Sequence, residues 1–269
     1  MNVLKSGDVD IAYLDEGEGP SVVLGHCSAA SHKEWAPLIE ALVEDWRVLA
    51  PDFIGYGQSG PWPAEEPFSI DADVDALLAV ADEAETPLHL VGHSYGAALA
   101  LEAARSLKDK VASLTLVEPV SFHLLRLEDL PEWQDVEALS QAVLDPVAKG
   151  DDKTAAAAFM SYWLGRWRWW IAPERFKNAI AATIPKVALE FSIAIDAKST
   201  ALDYAEIEAP TLLIKGSKTP PPTRAVTDLL GKTLPNVEVK TLKGAGHMSP
   251  FTHPEELNRL ILDHLTSRR

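Results

Sequence analysis

Apolar residues along the chain gather in six short, nearly unbroken runs. They are SVVLGH (21–26), RVLAPD (47–52), LHLVGH (88–93), LTLVEP (114–119), TLLIKG (211–216) and VEVKTL (237–242). Most do not alternate with polar residues, as expected of strands covered on both faces. Between them lie segments in which apolar residues recur every three or four positions: WAPLIEALVEDW (35–46), SIDADVDALLAVADEA (69–84), GAALALEAARSL (96–107), TRAVTDLLGKTL (223–234) and PEELNRLILDHL (254–265). That spacing predicts helices with one buried stripe. Strands alternating with helices predict an α/β fold with a mainly parallel sheet.

The alternation lapses between Val120 and Asp203. The stretch is helical in pattern and holds five of the eight tryptophans: Trp133, Trp163, Trp167, Trp169 and Trp170. It reads as a helical cap inserted between two strands. The expected division is a core domain of residues 1–119 and 204–269 and a cap of residues 120–203. Trp163, Trp167 and Trp170 stand at i, i+4 and i+7, the spacing of one helix face. Two readings stay open for them: packing of cap against core, or the wall of an apolar substrate pocket. Arg166 and Arg168 read as solvated, as stacked on neighbouring tryptophans, or as contacts for a substrate carboxylate.

Composition narrows the function classes. Apolar residues make up 47% of the chain, enough for a packed core. The net charge is −16 and no basic cluster stands out, so nucleic acid is not an expected partner. Cys27 is the only cysteine, which excludes an intramolecular disulfide. The N-terminal MNVLKSGDVD lacks the basic-then-apolar pattern of a signal peptide. The longest apolar stretch, TAAAAFMSYWLG, is too short to span a bilayer. A soluble, cytoplasmic protein acting on a small molecule, with no membrane partner, is the expectation. Oligomeric state stays open.

The segment GYGQSG (Gly55 to Gly60) matches a dinucleotide-binding fingerprint and follows a strand. Pro61-Trp62-Pro63 stands where that motif needs a helix N-terminus, so a tight glycine turn is the better reading. No histidines or carboxylates show metal-ligand spacing, and no cofactor is expected. GHSYG (92–96) is different: a serine sits between two glycines at a strand-to-helix junction. Such a turn lifts the Ser94 hydroxyl above the sheet and aims backbone N–H groups, including that of Tyr95, at the same point. A serine hydroxyl needs an adjacent base. KGAGHMSP (243–250) offers His247 in a glycine-flanked turn after the last apolar run. His26 and His93, at strand ends, read as structural. His253, before Pro254, reads as a helix start.

Four segments taken in order resemble the α/β-hydrolase superfamily along nearly the whole chain: GHCSAASHKEW, DFIGYGQS, GHSYG and GAGHMSPFTHPEEL. The resemblance implies an eight-stranded, mainly parallel sheet with helices on both faces and a cap. It implies Ser94 as nucleophile and His247 as base. It also implies an oxyanion hole formed by the N–H of Tyr95 and one from the loop after His26. By position the latter is Ser28, but the family usually has glycine where this chain has Cys27, which leaves both Cys27 and Ser28 in play. Most relatives carry the third member, an acid, just after the seventh strand as G-x-x-D. Here GSKTPPPTR places Thr219 at that position. Some relatives carry the acid at the end of the sixth strand, where this chain has Glu118. Asp203 and Asp228 look like solvated or capping residues instead.

Ser94, His247 and Glu118 together imply acyl transfer to water on an ester or thioester of small to medium, largely apolar character. A C–C bond hydrolase is the alternative within the fold. A non-catalytic small-molecule receptor is the alternative outside enzymes, favoured by Thr219 and disfavoured by the intact serine turn.

Overall fold

The six apolar runs form the parallel part of one sheet in the computed structural model, which describes residues 1–63 and 66–269 without the side chains of 192–196. They are β3 (Ser21–Gly25), β4 (Arg47–Pro51), β5 (Leu88–His93), β6 (Val111–Val117), β7 (Thr211–Gly216) and β8 (Val237–Leu242). Every residue of β3 and β5 is buried, which explains their unbroken apolar character. Two strands precede them, β1 (Asn2–Ser6) and β2 (Val9–Glu16). Among the described residues the sheet order is β1-β2-β4-β3-β5-β6-β7-β8. The β1–β2 and β2–β4 pairs are antiparallel and the rest are parallel.

Helices cover both faces. On one side α2 (Ile70–Ala81) and α3 (Tyr95–Leu107) bury Leu77, Leu99 and Leu101 against Leu90 and Leu114. On the other, α1 (Ala36–Leu42) and α12 (Pro254–Thr266) bury Leu38, Leu42, Leu257 and Ile261 against Val22, Val48 and Ile214. The junction of β5 and α3 sits very close to β3. A Cβ on Gly92 would collide with the Gly96 carbonyl, and a Cβ on Gly96 with the Gly25 carbonyl. Only glycine fits at either side of Ser94.

Between β6 and β7 the chain leaves the sheet as α4 (His123–Leu127), α5 (Trp133–Val147), α6 (Asp152–Leu164), α7 (Arg166–Ile171), α8 (Glu174–Asp196) and α9 (Ala201–Tyr204). Val136, Leu139 and Val143 of α5 meet Ala155, Ala156 and Phe159 of α6 and Ile184 and Val187 of α8 in the same buried cluster that continues into the core. Lys186 of α8 fixes this layer to the sheet domain. Its Nζ lies 2.7 Å from Asp73 Oδ2 on α2 and 3.0 Å from Glu190 Oε1. The rings of Tyr56, Phe68 and Tyr95 surround the ammonium at 4.3–5.2 Å.

The tryptophan spacing does not survive folding. Trp163 lies at the end of α6, Gly165 breaks the helix with φ +93°, and α7 restarts the phase at Arg166. Trp169 is the buried member of α7, whereas Trp167 and Trp170 are each 68% exposed. Trp167 and Trp170 therefore neither pack the cap on the core nor line the cavity above the sheet.

Candidate active site

The carboxyl ends of the parallel strands carry the chemistry, as open α/β sheets arrange it. Ser94 follows β5 in a left-handed conformation, φ +55° and ψ −115°, held by its N–H donating to the Val117 carbonyl at 2.9 Å. Glu118 follows β6 with φ +52°, its N–H donating to the Ile214 carbonyl at 2.8 Å. Two non-glycine residues at positive φ on adjacent strand ends are local strain of the kind that gathers at functional sites. His247 arrives from the loop after β8. Its Nε2 is 2.9 Å from Ser94 Oγ, and its Nδ1 is 3.3 Å from Glu118 Oε2. Serine, imidazole and carboxylate thus form one continuous hydrogen-bonded chain, with all three side chains buried.

Thr219 stands where most of the superfamily has its acid, and its hydroxyl donates to Glu118 Oε2. The Gly216 N–H donates to Glu118 Oε1. Burial opposes the charge on Glu118. The hydrogen bonds from His247, Thr219 and Gly216 outweigh burial and hold its carboxyl below the ordinary range. Burial pushes His247 below the usual histidine value, only partly countered by Glu118, so the ring is neutral and able to accept a proton.

Tyr95 is the first residue of α3, so its N–H has no intrahelical partner. Its side chain points away and donates to Asp73 Oδ2 at 2.7 Å. Of the two loop candidates, Cys27 is taken: its N–H donates to Glu34 Oε2 at 2.7 Å. The Ser28 N–H has no such partner among the described residues, and Ser28 lines the same cavity as Ser94 and Tyr95. Burial also pushes the Cys27 thiol well above its usual value, which leaves it protonated.

The family profile of the alpha/beta hydrolase fold matches residues 20–254. The chain belongs to that family. It is a hydrolase of the alpha/beta fold. Lipase LipV of Mycobacterium tuberculosis (strain ATCC 25618 / H37Rv) is 36% identical over 141 residues, 52% of either chain. Pyrrolizixenacetamide deacetylase of Xenorhabdus hominickii is 26% identical over 99% of this chain and 98% of its own. Among solved structures, MGS-M2, an alpha/beta hydrolase enzyme from a Medee basin deep-sea metagenome library, superposes with a TM-score of 0.83. It is 18% identical and covers 98% of this chain and 97% of that one.

Within this hydrolase a second buried chain, invisible in the sequence, braces the first. His93 Nε2 is 2.9 Å from the His247 carbonyl, and His93 Nδ1 bonds Glu34 Oε1. Both ring nitrogens face acceptors, so both carry protons and His93 is an imidazolium paired with Glu34. Despite burial, Glu34 raises the His93 value and His93 lowers that of Glu34. Cys27, Glu34 and His93 come close enough to suggest a metal site. His93 Nδ1 and Nε2 are both engaged, by Glu34 and by the His247 carbonyl, and Glu34 also accepts the Cys27 N–H, so the three residues serve here as a hydrogen-bonded brace. Glu34 lies within GHCSAASHKEW, but it stands 59 positions from its partner and nothing in that segment pairs it with His93.

Above Ser94 lies a cavity of about 50 Å³, walled by Tyr95, Phe122, Phe159, Trp163 and Phe191. The Trp163 ring lies 3.9 Å from the His247 ring at 30°, covering the base from solvent. Among the described residues, the carboxylate and imidazole side chains lining the cavity are those of Glu102, Glu190 and His123, with no lysine or arginine. Burial pushes His123 down to about 4, so it is neutral. The remaining predicted positions are structural. His26 Nε2 accepts from the Phe53 N–H at 2.9 Å, and His253 precedes α12 as its cap. The glycine turn at 55–60 wraps Asp52, whose Oδ2 accepts from the Gln58 N–H. Asp203 closes a capping box with Thr200, and Asp228 pairs with Lys215.

Proposed function

We propose that the chain is a serine hydrolase that acts on carboxylic esters or thioesters through an acyl-enzyme. The observation that carries this reading is the unbroken contact from Ser94 Oγ through His247 to Glu118. His247 Nε2 takes the Ser94 proton as Oγ attacks the carbonyl carbon. The N–H groups of Tyr95 and Ser28 hold the developing oxyanion, a contribution of roughly 10²–10³ in rate for each donor. Glu118 keeps the His247 proton on Nδ1 and offsets the charge of the imidazolium. His247 then protonates the leaving oxygen or sulfur. Water, deprotonated by the same ring, cleaves the acyl-enzyme and regenerates Ser94.

The aromatic walls support a largely apolar substrate. The name of the lipase relative supports ester chemistry. Thr219, the feature that favoured a non-catalytic receptor, donates to the acid and so supports turnover instead. The test is intact-mass and peptide mapping after exposure to a fluorophosphonate, beside turnover of p-nitrophenyl esters. Labelling confined to Ser94, and turnover abolished in Ser94→Ala, are expected. Ester turnover that survives Ser94→Ala would overturn the assignment.

A further inference from the structure

Trp167 and Trp170 are left over from the site, and their surroundings differ from the rest of the surface. Both indoles are 68% exposed and lie against each other, centroids 5.1 Å apart. Ile171, next to Trp170 in the chain, is 57% exposed. Isolated exposed apolar side chains are ordinary, whereas a contiguous aromatic patch marks an interaction site. The local charge is reversed as well. Residues 161–178 carry Arg166, Arg168, Arg175 and Lys177 against the single carboxylate Glu174, in a chain of net charge −16. Arg166, Arg168 and Arg175 are exposed. Beside the indoles runs a groove lined by Lys153, Ser161, Arg166, Lys177 and Asn178. Lys177 is partly engaged, 3.0 Å from Glu174 Oε1 and 3.2 Å from the Trp170 carbonyl.

Tryptophan prefers the boundary between hydrocarbon and water, and arginine beside it meets phosphate with a planar fork. Short basic-aromatic elements of this composition lie in the plane of a bilayer surface. No helix among the described residues is long and apolar enough to cross a membrane, so any attachment through α7 is peripheral. We propose that the α7 face of the cap docks on anionic phospholipid surfaces, with Trp167, Trp170 and Ile171 entering the headgroup boundary. Arg166, Arg168 and Lys153 then meet the lipid phosphates. The charge reversal selects this occupant. The chain as a whole is acidic, so an excess of cations beside exposed indoles favours approach of an anionic bilayer by this face.

The experiment is sedimentation with vesicles of phosphatidylcholine alone and of phosphatidylcholine mixed with phosphatidylglycerol, at low and high salt. Binding to the mixed vesicles at low salt is expected, with a blue shift of tryptophan emission and loss of binding at high salt. Arg166→Gln and Arg168→Gln should each weaken binding about fivefold. Trp167→Ala with Trp170→Ala should remove the blue shift. All four side chains are exposed, so these variants are expected to fold, and circular dichroism checks that they do. Failure of the wild-type chain to bind mixed vesicles at low salt overturns the proposal. So does equal binding by the double tryptophan variant. Titration with inorganic phosphate separates a free anion site: phosphate binding without vesicle binding also overturns it. A dimer in sedimentation velocity that the double tryptophan variant abolishes would assign the patch to a second copy instead.

Discussion

Replacing Glu118 with glutamine keeps the shape of the side chain and removes its charge. The structure fixes how the amide must sit. If its oxygen accepts the Gly216 N–H, its NH2 group faces Thr219 and His247 Nδ1. Thr219 can turn its hydroxyl to accept. His247 can meet the amide only with a bare Nδ1, which moves its proton to Nε2, facing Ser94. That tautomer cannot take the serine proton. The flipped amide would set its NH2 against the Gly216 N–H, an unmet buried donor costing about 1–3 kcal/mol. The blocking orientation is therefore the stable one. The corresponding change in the serine-protease template lowers kcat about 10⁴-fold. That is about 5.5 kcal/mol in the barrier, at about 1.36 kcal/mol per factor of ten. A similar loss in kcat/KM is expected here on a p-nitrophenyl ester, with slower fluorophosphonate labelling of Ser94. Circular dichroism and melting temperature control for the fold. A folded Glu118→Gln protein within tenfold of wild-type kcat/KM would refute the reasoning.

Thr219→Val removes one donor from the same buried carboxylate. A hydrogen bond to a charged group is worth about 1.5–3 kcal/mol, so urea unfolding should show a loss of that size, and unchanged stability would show that Thr219 is a bystander. Because burial lowers His247 from 6.5, the neutral base persists into mild acid, and the acidic limb of kcat/KM should have its midpoint below 6.5. A midpoint at or above 6.5 in the free enzyme contradicts that ordering. Lys186→Met leaves Asp73 and Glu190 buried without their cation. Urea unfolding should show a loss of about 3–5 kcal/mol, and a loss under about 1 kcal/mol would mean that water or protonation has taken over. Cys27, buried with its thiol pushed up, should resist iodoacetamide at neutral pH in the native protein and react only after unfolding.

Most of the parallel strands were legible because burial on both faces leaves few polar residues in them; β8, at the sheet edge, is largely exposed and alternates instead. β1 and β2 were not, because β1 lies at the sheet edge with most of its side chains exposed and carries no apolar run. The serine turn was legible through its glycines, whose places are dictated by backbone contacts that admit no Cβ. Glu118 could be reached through the resemblance, since some relatives carry the acid at the end of the sixth strand and a threonine stands here in the commoner place. That the threonine itself donates to Glu118 could not, because the two are 101 residues apart. The Glu34–His93 pair was hidden for the same reason, a contact across the fold with no local pattern. The tryptophans misled because their spacing continues smoothly in the sequence while the helix does not. One glycine at positive φ turned Trp163 toward His247 and Trp167 and Trp170 outward.

The ammonium of Lys186 has a consequence for engineering by exchange of parts. Caps are natural modules to swap between relatives, since the insertion is one continuous stretch between β6 and β7. Here the cap contributes the cation and the sheet domain the anion, Asp73, which also accepts the Tyr95 hydroxyl and the Ile54 N–H. A foreign cap without a lysine at this height would leave Asp73 facing the three rings with no counter-ion. The residue so disturbed is Tyr95, to whose N–H the proposed mechanism gives the oxyanion. Chimeras of this enzyme would therefore have to carry Asp73 and Lys186 as a pair, or replace both by apolar side chains together.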